Sequence, residues 1–181
     1  MYFVFPEFIE TDKFQYLKIQ KNASSTVTNL IMETMDFTCV NQKNLNKVRW
    51  TVIRDPYERF ISGLAYDLKR HDLKLEDIKI SDSFVSNYMH PRDGNRGNIN
   101  HSVSQVQYLI NADIDYYVDI KDLNIFLKMH FNKTHTINEN NSINLNVDKN
   151  EIMKYLTLDY KIYNNIISSS FLWKWQQGKI F

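Results

Sequence analysis

The sequence predicts an α/β fold: a single domain over residues 1–181, with a mainly parallel central sheet flanked by helices. Three observations point there. A strand, a turn and a helix follow one another at residues 14–35, and the same order repeats at residues 48–69. A further apolar run, Asp115–Ile120, then returns to the sheet after intervening helical segments. Strands alternating with helices are the pattern of parallel layers, whose ligands lie at the carboxyl ends of the strands.

Each element has its own signal. Phe14–Ile19 is a short apolar run closed by the polar Lys21 and Asn22, which predicts a buried strand. From Ser24 or Ser25 onward, Val27, Leu30, Ile31 and Met35 recur at three- and four-residue spacings, with a hydroxyl residue available as N-cap. Val48–Ile53 is rich in β-branched residues and ends at Arg54. Asp55 and Pro56 then supply a cap and a first helical residue. Phe60, Leu64 and Leu68 extend this helix to about Lys69 as an amphipathic face. Residues 72–87 predict short helical pieces, His90–Asn100 a loop, His101–Ile110 a helix and Lys121–His130 another. The Asn-rich stretch 138–150 precedes a helical pattern over 151–167 and a tail carrying Trp173 and Trp175.

Composition narrows the function classes. At 181 residues the chain is long enough for one substantial core. Its 22 basic and 21 acidic residues leave a net charge of +1, too small for a global field that attracts nucleic acid or acidic membranes. Anion recognition must therefore be local. Cys39 is the only cysteine, which excludes an internal disulfide and a multi-cysteine zinc site and fits a reducing compartment. No run approaches the roughly 20 apolar residues of a spanning helix, and residues 1–6 lack the form of a signal peptide, so a soluble cytoplasmic protein is expected.

The two strand ends carry the chemistry. A helix start presents unpaired N–H groups and the positive end of the helix dipole, so small residues there can wrap a phosphate or sulfate. Asn22, Ala23, Ser24, Ser25 and Thr26 have that character, and Lys21 can set an ammonium against the same anion. An ordinary capped helix with a surface lysine has the same local signature. Arg54, at the second strand end, can grip an anion with its guanidinium, and Ser62 lies about two helical turns beyond. Alternatively, Arg54 pairs with Asp55 or Glu58. The chain lacks a Gly-Lys-Ser/Thr phosphate loop, which disfavours a kinase or ATPase.

Lys21–Thr26 resembles the 5′-phosphosulfate loop, and Arg54–Ser62 the 3′-phosphate motif, of sulfotransferases that use 3′-phosphoadenosine-5′-phosphosulfate (PAPS), closest to the heparan and chondroitin type. The similarity is strong over residues 16–35 and 49–66 and weaker at His101–Gln105, Thr134–Asn138 and Leu158–Tyr163. It implies a P-loop-like sulfotransferase fold and transfer of a sulfuryl group from PAPS to a hydroxyl or amine of a carbohydrate or other small acceptor, with no metal. Lys21 and residues Asn22, Ala23, Ser24, Ser25 and Thr26 would hold the phosphosulfate, and Arg54 and Ser62 the 3′-phosphate. The alternative is a module that binds PAPS or its product 3′-phosphoadenosine-5′-phosphate (PAP) without turnover.

Transfer to a hydroxyl needs a proton acceptor. His101 is the first candidate, matching a histidine in the family's His-x-x-x-Gln pattern with Gln105; Glu33 is the reserve. Arg92 and Arg96 could recognise an acidic acceptor, or simply belong to an exposed loop. Trp173 and Trp175 could stack on a sugar or adenine, although packing against the core is favoured.

Overall fold

The computed structural model describes residues 7–77, 81, 103–133, 145 and 147–181. Its strands are β1 (Phe8–Glu10), β2 (Phe14–Leu17), β3 (Thr38–Val40), β4 (Val48–Ile53) and β5 (Tyr116–Asp119). The helices among the described residues are α1 (Ser24–Thr34), α2 (Pro56–Arg70), α3 (Gln105–Leu109), α4 (Leu123–Phe131), α5 (Lys149–Met153) and α6 (Thr157–Ile167). One five-stranded sheet forms in the order β3-β1-β2-β4-β5.

The sheet is mixed rather than mainly parallel. β2 pairs with β4 and β4 with β5 in parallel, whereas β1 runs antiparallel to both β2 and β3. The α/β expectation therefore holds for the central strands and is corrected at one edge. β1 and β3 have three residues each, too short for a periodic signal to distinguish them from loop. The expected helix over 151–167 is two helices: Asp148 caps α5 through Asn150 N, and α6 starts afresh at Thr157. The predicted pieces over 72–87 reduce to a 3-10 turn at Leu75–Asp77 among the described residues, and the loop His90–Asn100 lies outside them.

Strand alternation sorts the core onto two faces. Phe14 and Tyr16 of β2 and Trp50 and Val52 of β4 point to one face, where they pack with Val27, Leu30 and Ile31 of α1 and Phe126 and Leu127 of α4. Leu17 joins Val103 and Tyr108 in a second cluster, and Ile53 meets Tyr163 and Ile166 of α6 in a third. Trp173 is fully buried with its ring centre 5.0 Å from that of Phe126, so it packs the core. Its segment lies along the outer side of β5, where Trp173 N donates to the Tyr117 carbonyl at 2.8 Å.

The C-terminal residues lock onto α4 through His130. Its Nδ1 lies 2.9 Å from the Phe126 carbonyl, and Ile180 N donates to Nε2 at 2.9 Å. A carbonyl at one nitrogen and an N–H at the other require the neutral, Nδ1-protonated ring. Burial pulls the His130 pKa below its usual 6.5, with nearby Lys179 acting the same way and the Phe126 carbonyl opposing. The folded state thus binds this proton less readily than the unfolded chain, so stability falls as pH drops below about 6.5. Urea midpoints at pH 7.5 and 5 are expected to show that fall, and His130→Gln should shrink it. An equal fall in the variant would assign the effect elsewhere.

Candidate anion-binding site

Parallel pairing places the two strand-end turns side by side. The register runs from Phe14 opposite Val48 to Leu17 opposite Thr51, so both chains leave the same edge of the sheet. After β2 the backbone turns tightly: Lys21 has φ 65° and Ala23 φ 56°, both in the region that costs a residue with a side chain roughly 1–2 kcal/mol. Asn22, between them, closes the turn by donating its N–H back to the Ile19 carbonyl at 3.3 Å. Hydrogen bonds hold the conformation. The fully buried Asn22 donates through Nδ2 to the Val52 carbonyl at 2.8 Å and to Gln105 Oε1 at 3.2 Å.

The α1 cap departs from expectation. Ala23, not a hydroxyl residue, occupies the cap position, and no side chain caps the helix start. The reason is local: the alanine methyl has no oxygen to offer, so the first-turn N–H groups of α1 are left without a side-chain cap. Ser24 is buried, Ser25 exposed and Thr26 half-buried, all within that first turn.

The second turn starts α2 and reaches across to the first. Asp55 caps α2, accepting from Tyr57 N at 3.0 Å and Glu58 N at 3.1 Å, and Tyr160 donates its hydroxyl to the same carboxylate at 3.0 Å. Loss of solvent and then the neighbouring Asp55 carboxylate push the Tyr160 hydroxyl up to about 12, so it remains a donor across the physiological range. Arg54 Nη1 donates to the Lys21 carbonyl at 3.4 Å, while its Nε lies 3.6 Å from Glu58 Oε2. Arg59 Nε donates to the neighbouring Gln20 carbonyl at 3.1 Å. Two arginines of one helix start therefore hold two consecutive carbonyls of the other turn.

α3 closes the arrangement. Gln105 Nε2 donates to the Arg54 carbonyl at 3.0 Å, so this one amide bridges Asn22 of the first turn and Arg54 of the second. Gln105 N and Ser104 Oγ both donate to the buried Asp159 of α6.

The electrostatics favour an anion. Lys21, Arg54 and Arg59 act on one another, and Asp67 is the acidic group that offsets them at Lys21. Burial is the largest influence on Lys21; with repulsion from the two arginines and opposition from Asp67, its pKa falls to about 8. Arg59 is 3% exposed, and among the described residues its Nη2 has no hydrogen-bond partner. A buried guanidinium is costly unless compensated; the buried Asp159 supplies part of that compensation, and a bound anion would add to it.

The structure thus brings Lys21, Asn22, Ala23, Ser24, Ser25, Thr26 and Arg54 to one end of the sheet, with Ser62 half-buried two turns into α2. His101 lies outside the described residues, as do Arg92 and Arg96. Glu33 is nine residues beyond Ser24, roughly 14 Å along α1, where it pairs with Lys133 at 3.3 Å. That removes it from the loop it was expected to serve. Sequence reasoning missed Arg59, Tyr66 and Asp67, although Arg59, Gly63 and Asp67 at i, i+4 and i+8 form a legible polar stripe beside the apolar face of α2. Among the described residues no three His, Cys, Asp or Glu side chains gather as metal ligands, and no helix is long and apolar enough to cross a membrane. Comparison with protein-family models, curated proteins and solved structures finds no match.

Proposed function

We propose that this chain is a sulfotransferase that moves the sulfuryl group of PAPS to a hydroxyl or amine of a carbohydrate or other small acceptor. The observation that supports the reading is the contact between Arg54 Nη1 and the Lys21 carbonyl, which brings the two strand-end turns side by side. A ligand with two separated anionic groups on one nucleotide suits that arrangement. Lys21 and the α1 start would take the phosphosulfate, and Arg54 with Ser62 the 3′-phosphate.

The acceptor oxygen or nitrogen attacks sulfur in line as the bond from sulfur to the 5′-phosphate oxygen breaks, and the products are a sulfate ester or sulfamate and PAP. Negative charge builds on the departing oxygen, where the Lys21 ammonium and the N–H groups of the turn would stabilise it. Rate enhancement then comes mainly from positioning and charge, as in loose phosphoryl transfer. The acceptor's proton needs a base, for which His101 stays the candidate.

Thermal unfolding with PAP tests the binding half. At about 100 times its dissociation constant a ligand adds roughly 2.7 kcal/mol, which in a chain of this size raises Tm by about 5–10 °C. AMP, lacking the 3′-phosphate, is expected to do much less, and Arg54→Ala should narrow the difference. An undiminished preference would mean that Arg54 does not read the 3′-phosphate. PAPS binding with no transfer to any acceptor would favour a module that binds without turnover.

A further inference from the structure

The turn after β2 meets α2 at two points, one on its backbone and one on a side chain. Arg59 holds the Gln20 carbonyl, and further along the helix the Lys21 ammonium lies 3.6 Å above the centre of the Tyr66 ring. Arg59, Ser62, Gly63 and Tyr66 recur at i, i+3, i+4 and i+7, so they share one face of α2. Arg54, just before the α2 cap, and Ser62 within α2 are the groups proposed to read the 3′-phosphate, and the same helix carries the ring beneath the lysine.

A lysine stem has many rotamers, and the field at Lys21 is mixed: burial disfavours its charge, Asp67 attracts it, and Arg54 and Arg59 repel it. The face of an aromatic ring is negative and draws a cation to one place. Tyr66 offers that face from a ring 46% exposed, at the rim of the site rather than in the core.

We infer that Tyr66 is the positioning residue for Lys21, its ring holding the ammonium at the mouth of the turn so that α2 links recognition of one end of the ligand to placement of the cation at the other. The catalytic consequence rests on the proposed sulfuryl transfer; the coupling of ring and ammonium does not.

Tyr66→Leu removes the ring while keeping apolar bulk, and Tyr66→Phe keeps the ring. Equal urea midpoints for both variants and the parent check that the fold is retained. The first measurement needs no nucleotide: the Lys21 amine is titrated by NMR, its signal assigned with Lys21→Arg. Loss of the ring should lower the titration midpoint by about half a unit, since the cation loses a stabilising partner, while Phe keeps the parent value. Asp67, Arg54 and Arg59 are common to all three proteins, so they do not produce the contrast.

In transfer from PAPS, Tyr66→Leu is expected to lower kcat about threefold with PAP affinity unchanged, and Tyr66→Phe to restore the parent rate. A Leu variant that titrates like the parent, or a Phe variant that behaves like Leu, overturns the inference. If no variant transfers sulfate, the amine titration still decides the role of Tyr66. The thermal response to PAP then reports separately on the function proposed above.

Discussion

Lys21→Ala is expected to lower sulfuryl transfer from PAPS by at least about 100-fold, with the loss in kcat larger than any loss of nucleotide affinity. Removing one preorganised donor at a developing oxyanion costs roughly 2.7–4 kcal/mol of transition-state stabilisation, which is a factor of 100 to 1,000. The left-handed backbone at Lys21 and the arginine-held carbonyls of Gln20 and Lys21 fix the turn that carries this side chain. The working form carries the proton. Because burial and the neighbouring arginines bring its pKa down to about 8, kcat/KM for PAPS should decline as pH rises through that value. Lys21→Arg should move the decline to higher pH. Labelled-sulfate transfer across pH 6–10 measures both effects, and an alanine variant with full activity would remove Lys21 from the mechanism.

Asp159→Ala is expected to destabilise the protein by about 2–5 kcal/mol, because it leaves the Ser104 hydroxyl and the Gln105 N–H without their shared acceptor, at roughly 1–3 kcal/mol for each buried donor. Tm should fall by about 5–15 °C. The change reaches the site because Gln105 also bridges Asn22 and Arg54, so PAP binding should weaken even where the variant is fully folded. Asp159→Asn keeps an acceptor for at least one donor and should lie between alanine and the parent. Differential scanning calorimetry with and without PAP separates the two consequences. A stability loss with unchanged PAP affinity would confine Asp159 to holding α3 and α6 together.

The parts of the site that were readable in the sequence are those whose signal is local. Asp55 and Pro56 announce a helix start by their own chemistry, and the structure has α2 beginning there with Asp55 as cap. Periodicity over Val27, Leu30 and Ile31 located the buried face of α1. The cap of α1 was misread because propensity favours a hydroxyl, whereas the turn's own geometry placed left-handed Ala23 there. Asn22 was read as part of the anion loop; that its side-chain Nδ2 also ties the turn to Val52 and Gln105, residues distant in the chain, was not legible. Glu33 looked close to the loop in sequence but lies at the far end of a rigid helix.

By itself the sequence determined that β-runs end in two polar turns, each opening a helix, since strand period, capping chemistry and helical spacing depend only on neighbours along the chain. Only the tertiary structure decided that the turns adjoin, that the sheet is mixed, and that Arg54, Arg59 and Tyr66 converge on Gln20 and Lys21. Those facts follow from which strands pair and how α2 packs, and pairing is settled by burying both sheet faces at once, a condition on the whole chain that no short window contains.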